Sequence, residues 1–240
     1  MRLIASDVDG TLLLRGEKKL HNITVSALEK LIRGNVVFCA ASGRSYSELN
    51  RLSGDLSDKI YFIANDGALI MYKGKRIYDA PITAEKVRSF DDEKDVVAHG
   101  RYVSFVKSNS DRFVRMIKEQ YFGHILRMGS LEEISEPVYK IALYGKKEKD
   151  IDLNRVYCGN DVCEYVEIGI NKGMALAELS RILKIPESDI IAIGDGINDI
   201  EMLNNAGKSY VISSAPPMVK KFGTYIVDEF KDAAEMLLKE

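Results

Sequence analysis

Histidine, cysteine and tryptophan are scarce in this sequence. Its 240 residues include three histidines, three cysteines and no tryptophan. The histidines are scattered along the chain, which argues against a histidine-based zinc site and against a Ser-His-Asp triad. The cysteines, Cys39, Cys158 and Cys163, are odd in number and lack a Cys-x-x-Cys spacing. We therefore expect reduced thiols and a cytoplasmic protein.

Long apolar runs and a strong charge of one sign are also absent. No segment approaches the roughly 20 consecutive apolar residues that a membrane-spanning helix needs. The first apolar run begins at Leu3, so we expect no signal peptide. The formal net charge is only −2 although 29% of the residues are charged. This balance argues against a nucleic-acid-binding surface and against a polybasic membrane patch.

Apolar strands alternate with amphipathic helices at both ends of the chain. Apolar runs at 3–5, 36–41, 60–64 and 190–193 are separated by segments with helical periodicity. Strand, helix and strand in succession form βαβ units, which build parallel sheets covered by helices on both faces. A chain of this length can form one large domain or two smaller ones.

The pattern changes between about residues 83 and 169. Segments 139–144 and 163–168 alternate apolar and polar residues, as strands with one solvated face do. Together with a helical stripe over 111–122, this is typical of an antiparallel sheet with helices on one side. The predicted fold class is α/β, with a Rossmann-like parallel-sheet core of 1–82 plus 170–240 and an inserted α+β module of 83–169.

Three of the predicted parallel strands end in polar residues. These residues are Asp7, Asp9 and Thr11 after the first strand, Ser42, Gly43 and Arg44 after the second, and Asp195, Asn198 and Asp199 after a later one. The carboxyl ends of parallel strands share one edge of the sheet, and ligands bind in the crevice there. Four carboxylates in one crevice would repel one another without a cation. Oxygen ligands without thiol or imidazole indicate a hard ion, for which Mg²⁺ is the leading candidate.

Each of these motifs also has a simpler interpretation when it is taken alone. Asp9 and Gly10 could close a hairpin, because Asp-Gly is a frequent turn sequence. The segment from Asp195 to Asp199 could be a surface turn and helix cap. Lys172, at a predicted helix start, is either a solvated lysine or a phosphate ligand. A cation there opposes the helix dipole but suits a phosphate site. The coincidence of three motifs at strand ends favours one common site.

These residues resemble, in order, the four signatures of the haloacid dehalogenase-like (HAD) phosphohydrolase superfamily. The signatures are Asp7-Val8-Asp9-Gly10-Thr11, Ser42-Gly43-Arg44, Lys172 and Gly194-Asp195-Gly196-Ile197-Asn198-Asp199. The inserted module resembles the α+β cap of the Cof-type (class IIB) branch. The short cap and the opening segment most resemble archaeal phosphoglycolate phosphatases. The resemblance covers essentially the full chain.

The resemblance implies a role for each of these residues. Asp7 would be the nucleophile that forms an aspartyl-phosphate, and Asp9 the general acid and then the general base. Their two-residue spacing lets both face the crevice if the strand continues as far as Asp9. The implied Mg²⁺ ligands are Asp7, the Asp9 carbonyl and Asp195, with Asp199 binding directly or through water. The implied phosphate-binding residues are Thr11, Ser42, Gly43, Arg44, Lys172 and Asn198.

The implied activity is Mg²⁺-dependent hydrolysis of a small phosphomonoester, with 2-phosphoglycolate as the leading candidate. The expected partner is that small-molecule ester, and both a monomer and a homodimer stay open. An alternative is a sugar-phosphate or mannosyl-3-phosphoglycerate phosphatase, or a phosphomutase of the same superfamily. A third hypothesis, from another functional class, is that the protein is a signalling receiver that is phosphorylated on an aspartate. The placement of Asp9, the inserted module and the chain length argue against a receiver.

Three residues have no settled role at this point. Arg44 could contact the substrate or brace the cap. Asp66 follows the predicted strand at 60–64, and we interpret it as a turn residue without a catalytic role. Lys140, in the inserted module, faces no motif that can be recognised from the sequence.

Overall fold

The computed structural model describes residues 1–34, 36–121, 123–145 and 148–239. Its strands are β1 (Arg2–Asp7), β2 (Val36–Ala41), β3 (Tyr61–Ala64), β4 (Leu69–Tyr72), β5 (Lys75–Asp79), β6 (Asp95–His99), β7 (Val103–Lys107), β8 (His124–Met128), β9 (Lys140–Tyr144), β10 (Asn154–Gly159), β11 (Val162–Val166), β12 (Ile190–Gly194), β13 (Lys208–Ile212) and β14 (Tyr225–Val227). Its α-helices are α1 (Asn22–Arg33), α2 (Tyr46–Ser53), α3 (Ala84–Arg88), α4 (Asp111–Gln120), α5 (Lys172–Leu183), α6 (Ile200–Asn204), α7 (Pro217–Lys220) and α8 (Phe230–Leu238).

The first sheet has eight strands in the order β14-β13-β12-β1-β2-β3-β4-β5. The strands from β14 to β3 are parallel, and β4 and β5 continue the sheet as antiparallel hairpins. The predicted α/β fold is therefore confirmed. Because β1 lies between β2 and β12, the carboxyl ends of these three strands are neighbours at one edge of the sheet.

The first sheet is buried on both faces, as a parallel sheet must be. Leu3 and Ala5 of β1 contribute to an apolar cluster that includes residues of α5 and α6. Ile4, between them, contributes to another cluster, which includes residues of α1 and α8. Helices thus cover both faces and hold the strand rigidly up to its end. Polar side chains at that end are therefore positioned by a strand that is buried on both faces.

The second sheet has six strands in the order β10-β11-β9-β6-β7-β8. The prediction of an antiparallel sheet is wrong at one edge, because β7 and β8 pair in parallel. They are joined by α4, so this edge is a βαβ unit. All six strands lie within 83–169, and the division of the chain into a core and an inserted cap stays a prediction.

The helices of the second sheet's segment are shorter than the sequence indicates. The helix predicted over 111–122 ends at Gln120, because Tyr121 takes an extended backbone with φ −98° and ψ 128°. Phe122, the last residue of that prediction, lies outside the described residues. Within the parts of the chain that the structure describes, no helix is long and apolar enough to cross a membrane.

Two of the three cysteines are joined in a disulfide, Cys158–Cys163. The expectation of reduced thiols is therefore wrong for this pair. Cys158 of β10 and Cys163 of β11 are direct partners across the antiparallel ladder, with their Cα atoms 4.1 Å apart. The hairpin of β10 and β11 brings these two cysteines together, although they lack the Cys-x-x-Cys spacing. Cys39 is a buried free thiol.

Candidate active site

The carboxyl ends of β1, β2 and β12 bring three of the predicted site residues together. Asp7 is the last residue of β1, Ser42 directly follows β2, and Asp195 directly follows β12. All three are buried. The hairpin interpretation of the opening motif does not hold, because Asp7 ends a strand that is paired on both sides.

Three buried carboxylates form the centre of the site. Asp7, Asp195 and Asp199 each offer an oxygen atom, and these atoms lie within 4.8 Å of one another. Lys172 lies among them, with its Nζ atom 2.6 Å from Oδ1 of Asp7 and 2.7 Å from Oδ1 of Asp199. The side chain of Lys172 is only 1% exposed. The alternative of a solvated lysine at the start of α5 is therefore excluded.

The charges of this centre do not balance. Burial, reinforced by the neighbouring charge of Asp199, raises the pKa of Asp7 well above its usual range, although Lys172 opposes this shift. Burial alone would lower the pKa of Lys172, but the charges of Asp199 and Asp7 raise it, so the ammonium stays protonated. Lys172 pairs with Asp7 and Asp199, and Arg15 pairs with Asp195, so two cations meet three carboxylates. A divalent cation would relieve this excess of negative charge.

Asp195 and Asp199 are held by further hydrogen bonds. Asp199 accepts through Oδ2 from the backbone amides of Asp195, at 3.0 Å, and Gly196, at 2.8 Å. Asp195 accepts from the Thr11 hydroxyl at 3.0 Å and from Nη2 of Arg15 at 2.9 Å. Thr11, which the resemblance assigns to phosphate, therefore orients a carboxylate here. Arg15 was not predicted, since nothing in its sequence context marks it.

The donor set fits a hard divalent cation. The three carboxylates supply oxygen atoms alone, which is what such ions prefer. Asp7 and Asp195 line the open cavity, whereas Asp199 is fully buried and is not among the residues that line it. Asp7 and Asp195 are therefore the better direct ligands, and Asp199 is better suited to support them.

Asp9 differs from Asp7 in its surroundings. Its side chain is 50% exposed, whereas that of Asp7 is 8% exposed. The regular strand ends at Asp7, earlier than the spacing argument requires, because the chain turns at Gly10 and forms a bridge between Asp9 and Leu13. Both carboxylates still line the same cavity. Asp9 is thus the more accessible of the two carboxylates.

Arg44 binds Asp9 through two parallel hydrogen bonds. Nε lies 2.8 Å from Oδ2 of Asp9, and Nη2 lies 2.6 Å from Oδ1. Such two-pronged arginine–carboxylate pairs fix both side chains in one orientation. Substrate contact and bracing of the cap were the two predicted roles of Arg44, and neither of them involved this pairing with Asp9.

Asp66 and Lys140 belong to the site, although sequence reasoning gave neither a role there. Asp66 is buried after β3, where its Oδ1 accepts from Nδ2 of Asn198 at 3.0 Å. Its Oδ2 lies 3.4 Å from Nζ of Lys140. Burial would raise the pKa of Asp66, but the charges of Lys140 and Lys172 lower it. Asp66 could have been recognised from the sequence, because it follows β3, the strand next to β2. Nothing in the sequence marks Lys140 as a site residue.

A cavity of about 730 Å³ opens above these residues. From the first sheet's side it is lined by Asp7, Asp9, Arg15, Ser42, Gly43, Arg44, Glu48, Asp66, Asp195, Gly196, Ile197 and Asn198. From the second sheet's side it is lined by Gln120, Tyr121, Lys140, Val156, Tyr157, Cys158 and Glu164. The cavity therefore lies between the two sheets, with the carboxylates on the first sheet's side.

Gly10 permits the close approach of Asp195 to the opening loop. Its φ is +97°, and a Cβ atom built there would lie 2.8 Å from Oδ1 and 2.9 Å from Cγ of Asp195. Gly10→Ala should displace that carboxylate and lower kcat/KM on the order of 10²-fold, the usual effect of a misplacement of about 1 Å. Gly16→Ala is the matched control, because Gly16 has φ +87° in the same loop and nothing within 4 Å of its built Cβ. Equal activity losses in the two variants, measured on one ester, would contradict the steric account.

Three comparisons with known proteins agree with this arrangement. The sequence model of the haloacid dehalogenase-like hydrolase family matches residues 4–234. The 5-amino-6-(5-phospho-D-ribitylamino)uracil phosphatase of Escherichia coli is 22% identical over 94% of this chain and 90% of its own length. The HMP-PP phosphatase of Klebsiella pneumoniae is 27% identical over 91% of this chain and 86% of its own. Among solved structures, the HAD subclass IIB sugar phosphatase BT4131 has a similar fold, with a TM-score of 0.80, 19% identity and 99% of each chain covered.

Proposed function

Because the chain belongs to the haloacid dehalogenase-like hydrolase family and is a phosphoric monoester hydrolase, we propose that it hydrolyses a small phosphomonoester with the help of Mg²⁺ through an aspartyl-phosphate on Asp7. The observation that carries the proposal is the buried centre of Asp7, Asp195 and Asp199 around Lys172, at the base of an open cavity. A cavity with charged groups at its base is the setting that phosphoryl transfer requires, because these groups stabilise the charge of the transferring phosphate.

Asp7 and Asp9 divide the chemistry between them. A carboxylate oxygen of Asp7 attacks phosphorus as the bond from phosphorus to the ester oxygen breaks, and Asp9 gives a proton to the departing alkoxide. Asp9 then takes a proton from the water that attacks the phosphorus of the aspartyl-phosphate. The products are the alcohol, inorganic phosphate and the free Asp7 carboxylate. The greater exposure of Asp9 supports its role with the leaving group and water.

Lys172 keeps Asp7 in position for this attack. Its ammonium holds one oxygen of Asp7 at 2.6 Å and is itself anchored by Asp199 at 2.7 Å. The fixed pair leaves the side chain of Asp7 little freedom. Asp7, Asp195 and the Asp9 carbonyl would hold Mg²⁺ directly, and Asp199 would support them. When bound, that ion supplies the positive charge that offsets the phosphate and the excess of carboxylates.

The transferring phosphate is held by groups that line the cavity. Ser42 and the Gly43 amide follow β2, and Asn198 follows β12 and lines the same cavity. Thr11 is a weaker candidate, because its hydroxyl already donates to Asp195. Arg44 must leave Asp9 before it can bind a phosphate, so its first effect is on the orientation of Asp9.

The size of the cavity favours an ester larger than 2-phosphoglycolate. A volume of about 730 Å³ falls in the range of pockets that bury drug-sized ligands, and a two-carbon ester would occupy little of it. The E. coli and K. pneumoniae relatives are named for larger substrates. We therefore place a ring-bearing phosphate ester, or a sugar phosphate as named for BT4131, ahead of 2-phosphoglycolate. The second sheet acts as the cap that encloses the leaving group.

A panel of phosphate esters tests the proposal. It should include p-nitrophenyl phosphate, 2-phosphoglycolate, sugar phosphates and phosphorylated pyrimidine alcohols, each assayed with Mg²⁺ and with excess chelator. We expect hydrolysis with Mg²⁺, none with chelator, and recovery when Mg²⁺ is restored. Turnover that survives excess chelator would contradict the metal assignment. A long-lived phosphate on Asp7 without turnover would instead support a signalling receiver.

A further inference from the structure

The three carbonyl groups of Ser42, Gly43 and Arg44 are each bound from outside their own loop. The Ser42 carbonyl accepts from the backbone amide of Asp66 at 3.1 Å, and the Arg44 carbonyl accepts from that of Asn65 at 2.9 Å. Both donors lie in the short turn after β3. The Gly43 carbonyl, between them, accepts from Nζ of Lys140 at 2.6 Å. The middle of this loop is therefore held by a side chain of the second sheet.

Lys140 is built to hold this position. It is the first residue of β9 and is buried, with Nζ 2.9 Å from Oε2 of Glu164 on the neighbouring β11 and 3.4 Å from Oδ2 of Asp66. Burial alone would lower its pKa, but the charges of Glu164 and Asp66 raise it, so the ammonium is charged. A charged donor makes a stronger hydrogen bond to a carbonyl than a neutral one does.

The bond to the Gly43 carbonyl also sets the direction of the next amide. In a trans peptide the carbonyl and the following N–H point in opposite directions, because the peptide unit is planar. When Lys140 draws the Gly43 carbonyl towards itself, the Arg44 amide is turned the other way, where it donates to Oγ of Ser42 at 3.2 Å. The orientation of the Ser42 hydroxyl and of the Arg44 backbone thus depends on Lys140.

We propose that Lys140 is a positioning residue that aligns the phosphate-binding loop from the opposite sheet. This rests on the proposed function. The second sheet would then contribute to catalysis itself, because the loop with Ser42 and Gly43 is fully aligned only while β9 is docked against it. Lys140 acts through the loop backbone and does not need to touch the leaving group.

This role and direct contact with the substrate predict different results. A residue that aligns the loop affects every ester equally, because all esters share the phosphate. A residue that contacts the leaving group affects only those esters whose leaving group reaches it. Lys140 lines the cavity, so it is placed where it could either align the loop or contact the leaving group.

Lys140→Met tests the proposal, with Lys149→Met as the matched control. Lys149 also pairs with two carboxylates, Asp92 and Glu93, but it is not among the residues that line the cavity. We expect Lys140→Met to lower kcat/KM about 10- to 100-fold, the effect of one lost charge-assisted hydrogen bond. The factor should be the same for p-nitrophenyl phosphate and for the best ester of the panel. Inhibition by inorganic phosphate should weaken in parallel, while Lys149→Met matches the wild type.

Three outcomes would overturn or redirect the inference. A loss confined to one ester would make Lys140 a substrate contact, and no loss relative to Lys149→Met would remove its role altogether. If the wild type cleaves no ester, the proposed function fails instead. Should Lys140→Met not fold, Glu164→Gln keeps the ammonium but weakens its anchor, and we expect a smaller loss that is equally uniform across esters.

Discussion

Replacing Asp7 with asparagine should abolish hydrolysis of every phosphate ester while leaving the fold intact. The amide oxygen of asparagine is a poor nucleophile, and an aspartyl-phosphate cannot form at that position. Losses on the order of 10⁶-fold in kcat are known when a nucleophile is removed from an enzyme, so turnover should fall below detection. This is the largest effect that the geometry predicts for a single side chain.

The same substitution should not destabilise the protein in the absence of divalent cations. Burial and repulsion from the neighbouring carboxylates raise the pKa of Asp7. A neutral amide at this position therefore removes an unfavourable charge. Lys172 keeps Asp199 as a partner, at 2.7 Å. The melting temperature of Asp7→Asn should therefore equal or exceed that of the wild type in chelator.

Asp55→Asn is the control for this variant, because Asp55 is exposed and is not among the residues that line the cavity. It should retain wild-type turnover. If Asp7→Asn kept even a few per cent of the wild-type kcat, the assignment of Asp7 as nucleophile would be refuted. A folded but inactive Asp7→Asn beside an active Asp55→Asn would support it.

Lys172→Met should have the largest effect on stability. It removes a fully buried ammonium and leaves Asp7 and Asp199 facing each other without their shared partner. Removal of one partner from a buried ion pair usually costs about 3–5 kcal/mol, because the charge left behind is uncompensated. Urea unfolding in chelator should show a loss of this size, and Mg²⁺ should restore part of it.

A double variant separates this electrostatic effect from simple loss of packing. Asp7→Asn together with Lys172→Met removes one of the facing carboxylates, so it should be more stable than Lys172→Met alone. The two substitutions would then be strongly non-additive. A loss below about 1 kcal/mol for Lys172→Met, or simple additivity in the double variant, would contradict the account in which Lys172 compensates the buried charges of Asp7 and Asp199, since that account requires the buried-pair cost.

The parallel sheet and its polar edge could be predicted because their signals are local. Each strand is a short apolar run, and the polar residues of the site lie at or just after the ends of β1, β2 and β12. The rule that ligands bind at the carboxyl ends of parallel strands then joins segments that are far apart in the sequence. Asp7, Asp195 and Asp199 were found in this way, and the same rule would have found Asp66 after β3.

Contacts made by long side chains across the fold could not be predicted. Arg15 reaches Asp195, 180 residues away, and Lys140 reaches Gly43, 97 residues away. Neither residue has a neighbour in the sequence that marks it, because its partner is set by how the sheets and loops pack. The role of Arg44 was open for the same reason, since its partner Asp9 follows a different strand.

The second sheet was predicted less completely than the first. The strands β6, β8 and β10 were not predicted, whereas β7 coincides with the mainly apolar run at 102–106. The edge strands β8 and β10 are largely exposed, so their residues carry little of the apolar alternation that identifies a strand. The disulfide between Cys158 and Cys163 depends on the pairing of one of these strands, β10, with β11, and it was missed together with that strand.

The most direct test of the account is to identify the residue that carries the phosphoryl group during turnover. The wild type is denatured with acid while it hydrolyses an ester in Mg²⁺ and is then treated with borohydride, which reduces an aspartyl-phosphate to homoserine. Peptide mapping should find homoserine at position 7, and only in samples that contained the ester. Homoserine at another aspartate, or none at all in an actively hydrolysing sample, would contradict the account.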